Sequence, residues 1–260
     1  LAYEIVELAA PHGRLLHVGV GVPGRVTGRS TVAMALNIGI GEGYDLAGAL
    51  RAALHVPVVV ENDVNAAAVG AYHHLGGGGD LAYLSVGTGF AAGLVVAGEL
   101  HRGASGTAGE IGHLPIPGDD TPCPCGQRGC IEAVVAGSVL SAAAADLGVG
   151  TGAGALLDAA DRGDARAAAV AARSLDALAW VCQLAVVMLD VELVVLGGGV
   201  SDLGDRLVEP IRERLVRIEA SSPLIAGIAP SRRLRLAPQR VAIGAAGADR
   251  LARHWVAACS

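Results

Sequence analysis

The chain contains no lysine: all nineteen of its basic residues are arginine. That excludes a Walker A loop, whose lysine reaches the phosphates of a bound nucleotide. Cysteine is scarce and odd in number, five in 260 residues, which excludes the disulfide framework of a small secreted domain. Although 52% of the residues are hydrophobic, no unbroken apolar run reaches the roughly 18 residues of a membrane span. The start lacks the basic, apolar and small-residue series of a signal peptide. A formal charge of −6 argues against a nucleic-acid surface. These absences point to a cytoplasmic protein with no membrane partner, long enough to bury one large core or two smaller ones. The opening "LAYEIVELAA" is apolar at helical spacing, with neither Met nor cap. It reads as the middle of an element, so the chain is expected to be truncated at its N-terminus.

What is present alternates between strand and helix patterns. "RLLHVGVGVPG" reads as a short buried strand running into a glycine-rich turn. Gly19 to Gly24 matches G-x-G-x-x-G, but "RVTGRST" follows where a dinucleotide site needs a helix, so the match is taken as accidental. "DLAGALRAAL" is an amphipathic helix, "VPVVVEND" a buried strand ending in polar residues, and "VNAAAVGAYHHL" the next helix. Gly76 to Gly79 form a flexible joint, followed by the strands "LAYLSVGTG" and "FAAGLVVAGEL". A long apolar helix from about Asp164 to Asp190, the strand "LVVLGGG" and the helices "DRLVEPIRERLVRI" and "VAIGAAGADRLARHW" complete the order. The class is α/β, with a domain boundary at the tetraglycine: residues 1–76, completed by a helix over 240–260, and residues 77–239.

"PCPCGQRGC" concentrates three cysteines, Cys123, Cys125 and Cys130, in one loop. Three readings fit: buried free thiols, a disulfide with one thiol spare, or a metal site. A structural zinc site needs four thiolate or imidazole ligands in a tetrahedron. His113, in "GEIGH" upstream, supplies the fourth, and the prolines between keep the connection irregular. Zinc is the favoured reading. Cys182 lies in "LAWVCQLAVVML", as core packing would have it, and Cys259 carries no signal.

"GEIGH" followed by C-x-C-G-x-x-G-C-x-E resembles the signature of the ROK family of bacterial sugar kinases and sugar-responsive repressors. "VGVGVPG", "VENDVNAAA", "SVGTG", "RGASGTAGEIGH", "CPCGQRGCIEA" and "VLGGG" occur in that family's order over nearly the whole chain. The resemblance implies an actin-like ATPase (ribonuclease H-like) fold of two domains, a sugar ligand, and a structural zinc on His113, Cys123, Cys125 and Cys130.

Glu61, Asn62, Asp63 and Asn65 crowd the end of a buried strand, where α/β proteins bind ligands. Helix capping by Asn62 or Asp63 is the alternative. Phosphoryl transfer to a sugar hydroxyl needs a base, and Asp63 is the residue suited to it; the resemblance places the kinases' catalytic aspartate there and Asn62 among the sugar contacts. By the same resemblance Glu110, His113 and Glu132 contact ring hydroxyls, and Gly24 and Asn37 fall at the remaining sugar contacts. Solvated loop charge is the alternative for Glu110 and Glu132.

Gly87, Thr88 and Gly89 offer backbone amides and a hydroxyl to a phosphate; in the family this is the second phosphate loop. Where the kinases continue with glycines, Phe90, Ala91 and Ala92 stand here, and Ile131 replaces a bulky aromatic. Gly197, Gly198 and Gly199 resemble the adenosine-side turn. Two functions stay open: a kinase using ATP and Mg²⁺ on a hexose, which is favoured, and the sugar-sensing body of a repressor that reaches DNA only through an N-terminal segment. The family's first phosphate loop is expected before residue 1. A homodimer or larger homo-oligomer is expected in either case.

Overall fold

A computed structural model describes residues 1–35, 39–40, 43–239 and 241–259. The elements begin with α1 (Ala2–Ala9), β1 (Val18–Val22), β2 (Arg25–Thr27), β3 (Thr31–Met34), β4 (Tyr44–Asp45), α2 (Leu46–Leu54), β5 (Val58–Asn62) and α3 (Asp63–His74). There follow β6 (Leu81–Val86), β7 (Phe90–Val96), β8 (Glu99–His101), α4 (Glu132–Val135), α5 (Gly137–Asp146), α6 (Gly152–Asp161) and α7 (Ala165–Leu189). The chain continues through β9 (Leu193–Gly197), α8 (Asp205–Ser221), α9 (Pro223–Ile228), α10 (Pro230–Arg233), β10 (Leu234–Leu236) and α11 (Ile243–Cys259).

Two compact units result. The first comprises Leu1–Gly78, Gly93–Ala108 and Arg240–Ser260. Its β1 and β5 run parallel, in register from Val18 opposite Val58 to Val22 opposite Asn62. Strands of a parallel pair are covered on both faces, which is why β5 reads as a continuous valine run; Val58, Val59 and Val60 are all buried. Helices α3 and α11 cross in direct backbone contact, since a Cβ on Gly247 would lie 1.8 Å from the Ala66 carbonyl oxygen. Only glycine permits that approach.

"RVTGRST" carries more than a turn. Gly28 and Arg29, at φ +61° and +58°, make the turn, and β2 and β3 flank it as an antiparallel pair. A strand therefore follows the G-x-G-x-x-G stretch, and no helix N-terminus is there to receive a pyrophosphate. Residues 93–108 also group with the first unit, whereas the sequence put 77–239 together. The reason is local: β7 turns back antiparallel onto β8, Leu94 opposite His101, and Arg102 beyond it pairs with Glu61.

The second unit comprises Gly79–Ala92 and Gly109–Gln239. Strands β10, β9 and β6 lie side by side and parallel, with Leu234 opposite Val194 and Leu81 opposite Leu193. Leu81, Leu84, Leu196 and Leu234 on these strands are fully buried. The 25-residue α7 is capped by Asp164, whose carboxylate accepts from the amides of Arg166 (2.9 Å) and Ala167 (3.2 Å). Among the described residues α7 is the one helix long and apolar enough to cross a membrane, yet 56% of that stretch is buried inside the protein. With Leu178, Val181 and Cys182 buried, it is a core helix.

Candidate functional site

In the first unit the polar cluster lies where β5 passes directly into α3. Asn62 is the helix cap: its Oδ1 accepts from Asn65 N at 3.0 Å, and its Nδ2 donates to the Gly24 carbonyl oxygen at 3.0 Å. Gly24 and Asn62 are thus brought together. Glu61, 4% exposed, turns inward. One carboxylate oxygen accepts from Arg102 Nε (2.8 Å) and Nη2 (2.7 Å), the other from Asn65 Nδ2 and the Asn62 amide, both at 3.0 Å. Asp63, the first residue of α3, is exposed, and its Oδ1 accepts from the Val64 amide at 2.9 Å. Crowding alone was thus a poor guide to ligand contact, because Glu61 and Asn65 are committed to each other. Asn37 lies outside the described residues.

Arg102 was missed. It stands in "RGASGTAGEIGH" with nothing local to mark it, and its partner is 41 residues away.

In the second unit Gly87, Thr88 and Gly89 form the turn between β6 and β7, closed by a Gly87 amide to Gly89 carbonyl bond of 3.0 Å. The start of α5 holds this turn: the Gly137 amide donates to Gly87 O at 2.7 Å and Ser138 Oγ to Thr88 O at 2.6 Å. Glu132, half-buried at the start of α4, accepts from the Phe90 amide at 2.7 Å, so it is not a solvated loop charge. Gly198, at φ +81°, lies against the end of β6; a Cβ there would come within 2.6 Å of the Val86 carbonyl. Gly199 opens a short 3₁₀ turn. The two glycine turns therefore share the C-terminal ends of adjacent parallel strands, a position suited to ligands.

Also in the second unit, the ligand atoms of His113, Cys123, Cys125 and Cys130 all lie within 4.8 Å of one another. Bridges between Pro115 and Cys130 and between Pro122 and Arg128 shape the loop. His113 Nδ1 is buried without a hydrogen-bond partner, a state proteins rarely tolerate unless something binds there. The residues fit a tetrahedral zinc: three sulfurs, one orphaned imidazole nitrogen, and no disulfide among the described cysteines. Gln127's backbone amide and the neighbouring thiols bring Cys125 down to about 6, while burial pushes Cys130 up to about 12. The Gln127 side-chain amide donates to the His113 carbonyl at 3.3 Å and helps close the loop. Glu110 is exposed, with an oxygen 4.0 Å from His113 Nε2.

A family model described as the ROK family matches residues 3–254. A glucokinase of Halalkalibacterium halodurans is 33% identical over 223 residues, covering 76% of this chain and 66% of that protein. A xylose repressor of Caldicellulosiruptor bescii is 37% identical over 141 residues, 51% of this chain and 35% of that protein. The chain therefore spans less than two thirds of either curated relative. Among solved structures, a ROK family glucokinase from Streptomyces griseus in complex with glucose and AMPPNP superposes with a TM-score of 0.78 at 30% identity. That match covers 97% of this chain and 87% of the other.

Proposed function

The chain belongs to the ROK family, with the actin-like ATPase fold of its sugar kinases, and from that membership we propose that it is an ATP-dependent hexose kinase with Asp63 as general base. One observation carries the assignment of the base. Of the polar residues at the β5–α3 junction, Glu61, Asn62 and Asn65 are bound to one another or to Gly24, and only Asp63 is exposed. A general base needs an oxygen within hydrogen-bond reach of the hydroxyl proton it takes, and among the described residues the hydrogen bond to the Asp63 carboxylate comes from its neighbour's amide.

Phosphoryl transfer asks a protein mainly for positioning and electrostatic stabilisation. When bound, ATP supplies the phosphoryl group and Mg²⁺ offsets the charge on it. The turn Gly87-Thr88-Gly89, through the Gly89 amide and the Thr88 hydroxyl, is assigned to the phosphates, and Gly198 and Gly199 to the nucleoside end. Asn62 orients the sugar with Gly24 and Asn37; Glu110, His113 and Glu132 are assigned to other ring hydroxyls. His113, Cys123, Cys125 and Cys130 would hold a zinc ion, which would fix the imidazole so that the loop orients a sugar contact rather than reacting.

A second reading, the sugar-sensing part of a repressor, is favoured by one feature. Phe90 and Ala92 are both 3% exposed immediately after the phosphate turn, where the kinases carry glycines, and a xylose repressor is among the relatives. The test is a hexose panel with ATP and Mg²⁺: the kinase forms a sugar phosphate, while a sensor binds its sugar and leaves ATP intact.

A further inference from the structure

Glu61 is a buried carboxylate immediately before the residues assigned to chemistry. It is only 4% exposed, and each of its oxygens accepts from two protein donors. We propose that Arg102 is a positioning residue: through Glu61 it fixes Asn62 and Asp63. The catalytic consequence rests on the kinase reading above.

The connection runs through four bonds. Two N–H groups of the Arg102 fork converge on one Glu61 oxygen. The other oxygen holds the backbone amide of Asn62 and the side chain of Asn65. Asn62 in turn caps α3 and holds the Gly24 carbonyl, and Asp63 follows it in the chain. Arg102 is itself braced, because its carbonyl accepts from the Ala108 amide at 3.1 Å and closes the intervening loop. A buried carboxylate is tolerated only when paired and hydrogen-bonded. Removing the guanidinium leaves Glu61 to draw in water or a proton, and either change shifts the Asn62 amide that it holds. Lysine restores the charge but not the two-pronged fork, so it restores position only in part.

The experiment compares the unaltered protein with Arg102→Met, Arg102→Lys and Glu61→Gln/Arg102→Met. Two readouts are taken: steady-state kinetics with the best hexose and ATP, and amide hydrogen exchange of residues 62–65 without substrate. Arg102→Met is expected to lose about 10- to 100-fold in kcat, as a misplaced reacting group does, with the KM for ATP unchanged within about twofold and exchange at 62–65 accelerated. Arg102→Lys recovers part of both losses, and the double variant exceeds Arg102→Met because no unpaired charge stays buried. Parental exchange at 62–65 in Arg102→Met overturns the clamp, whatever the activity. Accelerated exchange with unchanged kcat overturns the positioning role. Should the unaltered protein phosphorylate no hexose, the kinase reading fails instead, and exchange alone then decides whether Arg102 fixes this segment.

Discussion

Cys125 Sγ lies 3.6 Å from Cys130 Sγ, close to the roughly 3.8 Å between two thiolates that share a tetrahedral zinc at about 2.3 Å. The pair joins Cys123 and a partnerless His113 nitrogen in one cluster. Four thiolate and imidazole donors leave no position open for water, which is the mark of a structural site.

Purified protein should therefore contain one zinc per chain. Metal bound only by the folded state contributes to its stability, so Cys125→Ser should reduce zinc content and lower the melting temperature. A chelator should lower the melting temperature of the unaltered protein and leave the variant's nearly unchanged. Elemental analysis that finds no metal, together with three freely titratable thiols in the loop, contradicts the assignment.

The close crossing of α3 and α11 predicts a sharp packing effect. Gly247→Ala forces a methyl group toward a carbonyl oxygen now 1.8 Å from its ideal position. Overpacking of this kind costs about 1–3 kcal/mol or more, and the chemical denaturation midpoint should fall accordingly. Gly244→Ala, where a Cβ would meet nothing within 4 Å, is the control and should leave the midpoint in place or raise it.

Acid should weaken the start of α7 in a defined way. The amides of Ala167 and Arg166 donate to Asp164 and hold its pKa below the usual aspartate value. A lowered folded-state pKa gives stability that is complete above the unfolded value of about 3.9 and is lost as pH falls through the folded one. Asp164→Asn keeps a capping oxygen without the charge. The stability of the parent relative to Asp164→Asn should be constant near neutral pH and decline below about pH 4. A difference that stays flat down to the acid transition counts against this role for the carboxylate.

The parts of the molecule legible in the sequence were those set by local pattern. The valine run of β5, the alanine-rich α3 and the 25-residue α7 follow from apolar periodicity, and the grouping of the three loop cysteines from their spacing. What stayed hidden depended on partners remote in the chain. Nothing near Arg102 announces Glu61, and nothing in "ENDVN" distinguishes the inward Glu61 and Asn65 from the outward Asp63. Strands as short as β2 and β3 escape because three or four residues carry too little alternation, and the turn between them dominates the pattern. The grouping of residues 93–108 with the first unit also depends on tertiary pairing.

The central claim is that Asp63 takes the proton of a sugar hydroxyl. Its most direct test measures hexose phosphorylation and hexose affinity side by side, in the full-length protein and in Asp63→Asn. Loss of a general base should lower kcat on the order of 10²- to 10⁴-fold, while the calorimetric sugar affinity changes by less than about tenfold, because Asn62 and the other sugar contacts remain. A kcat equal to that of the parent contradicts the account and leaves Asp63 as no more than the first residue of α3.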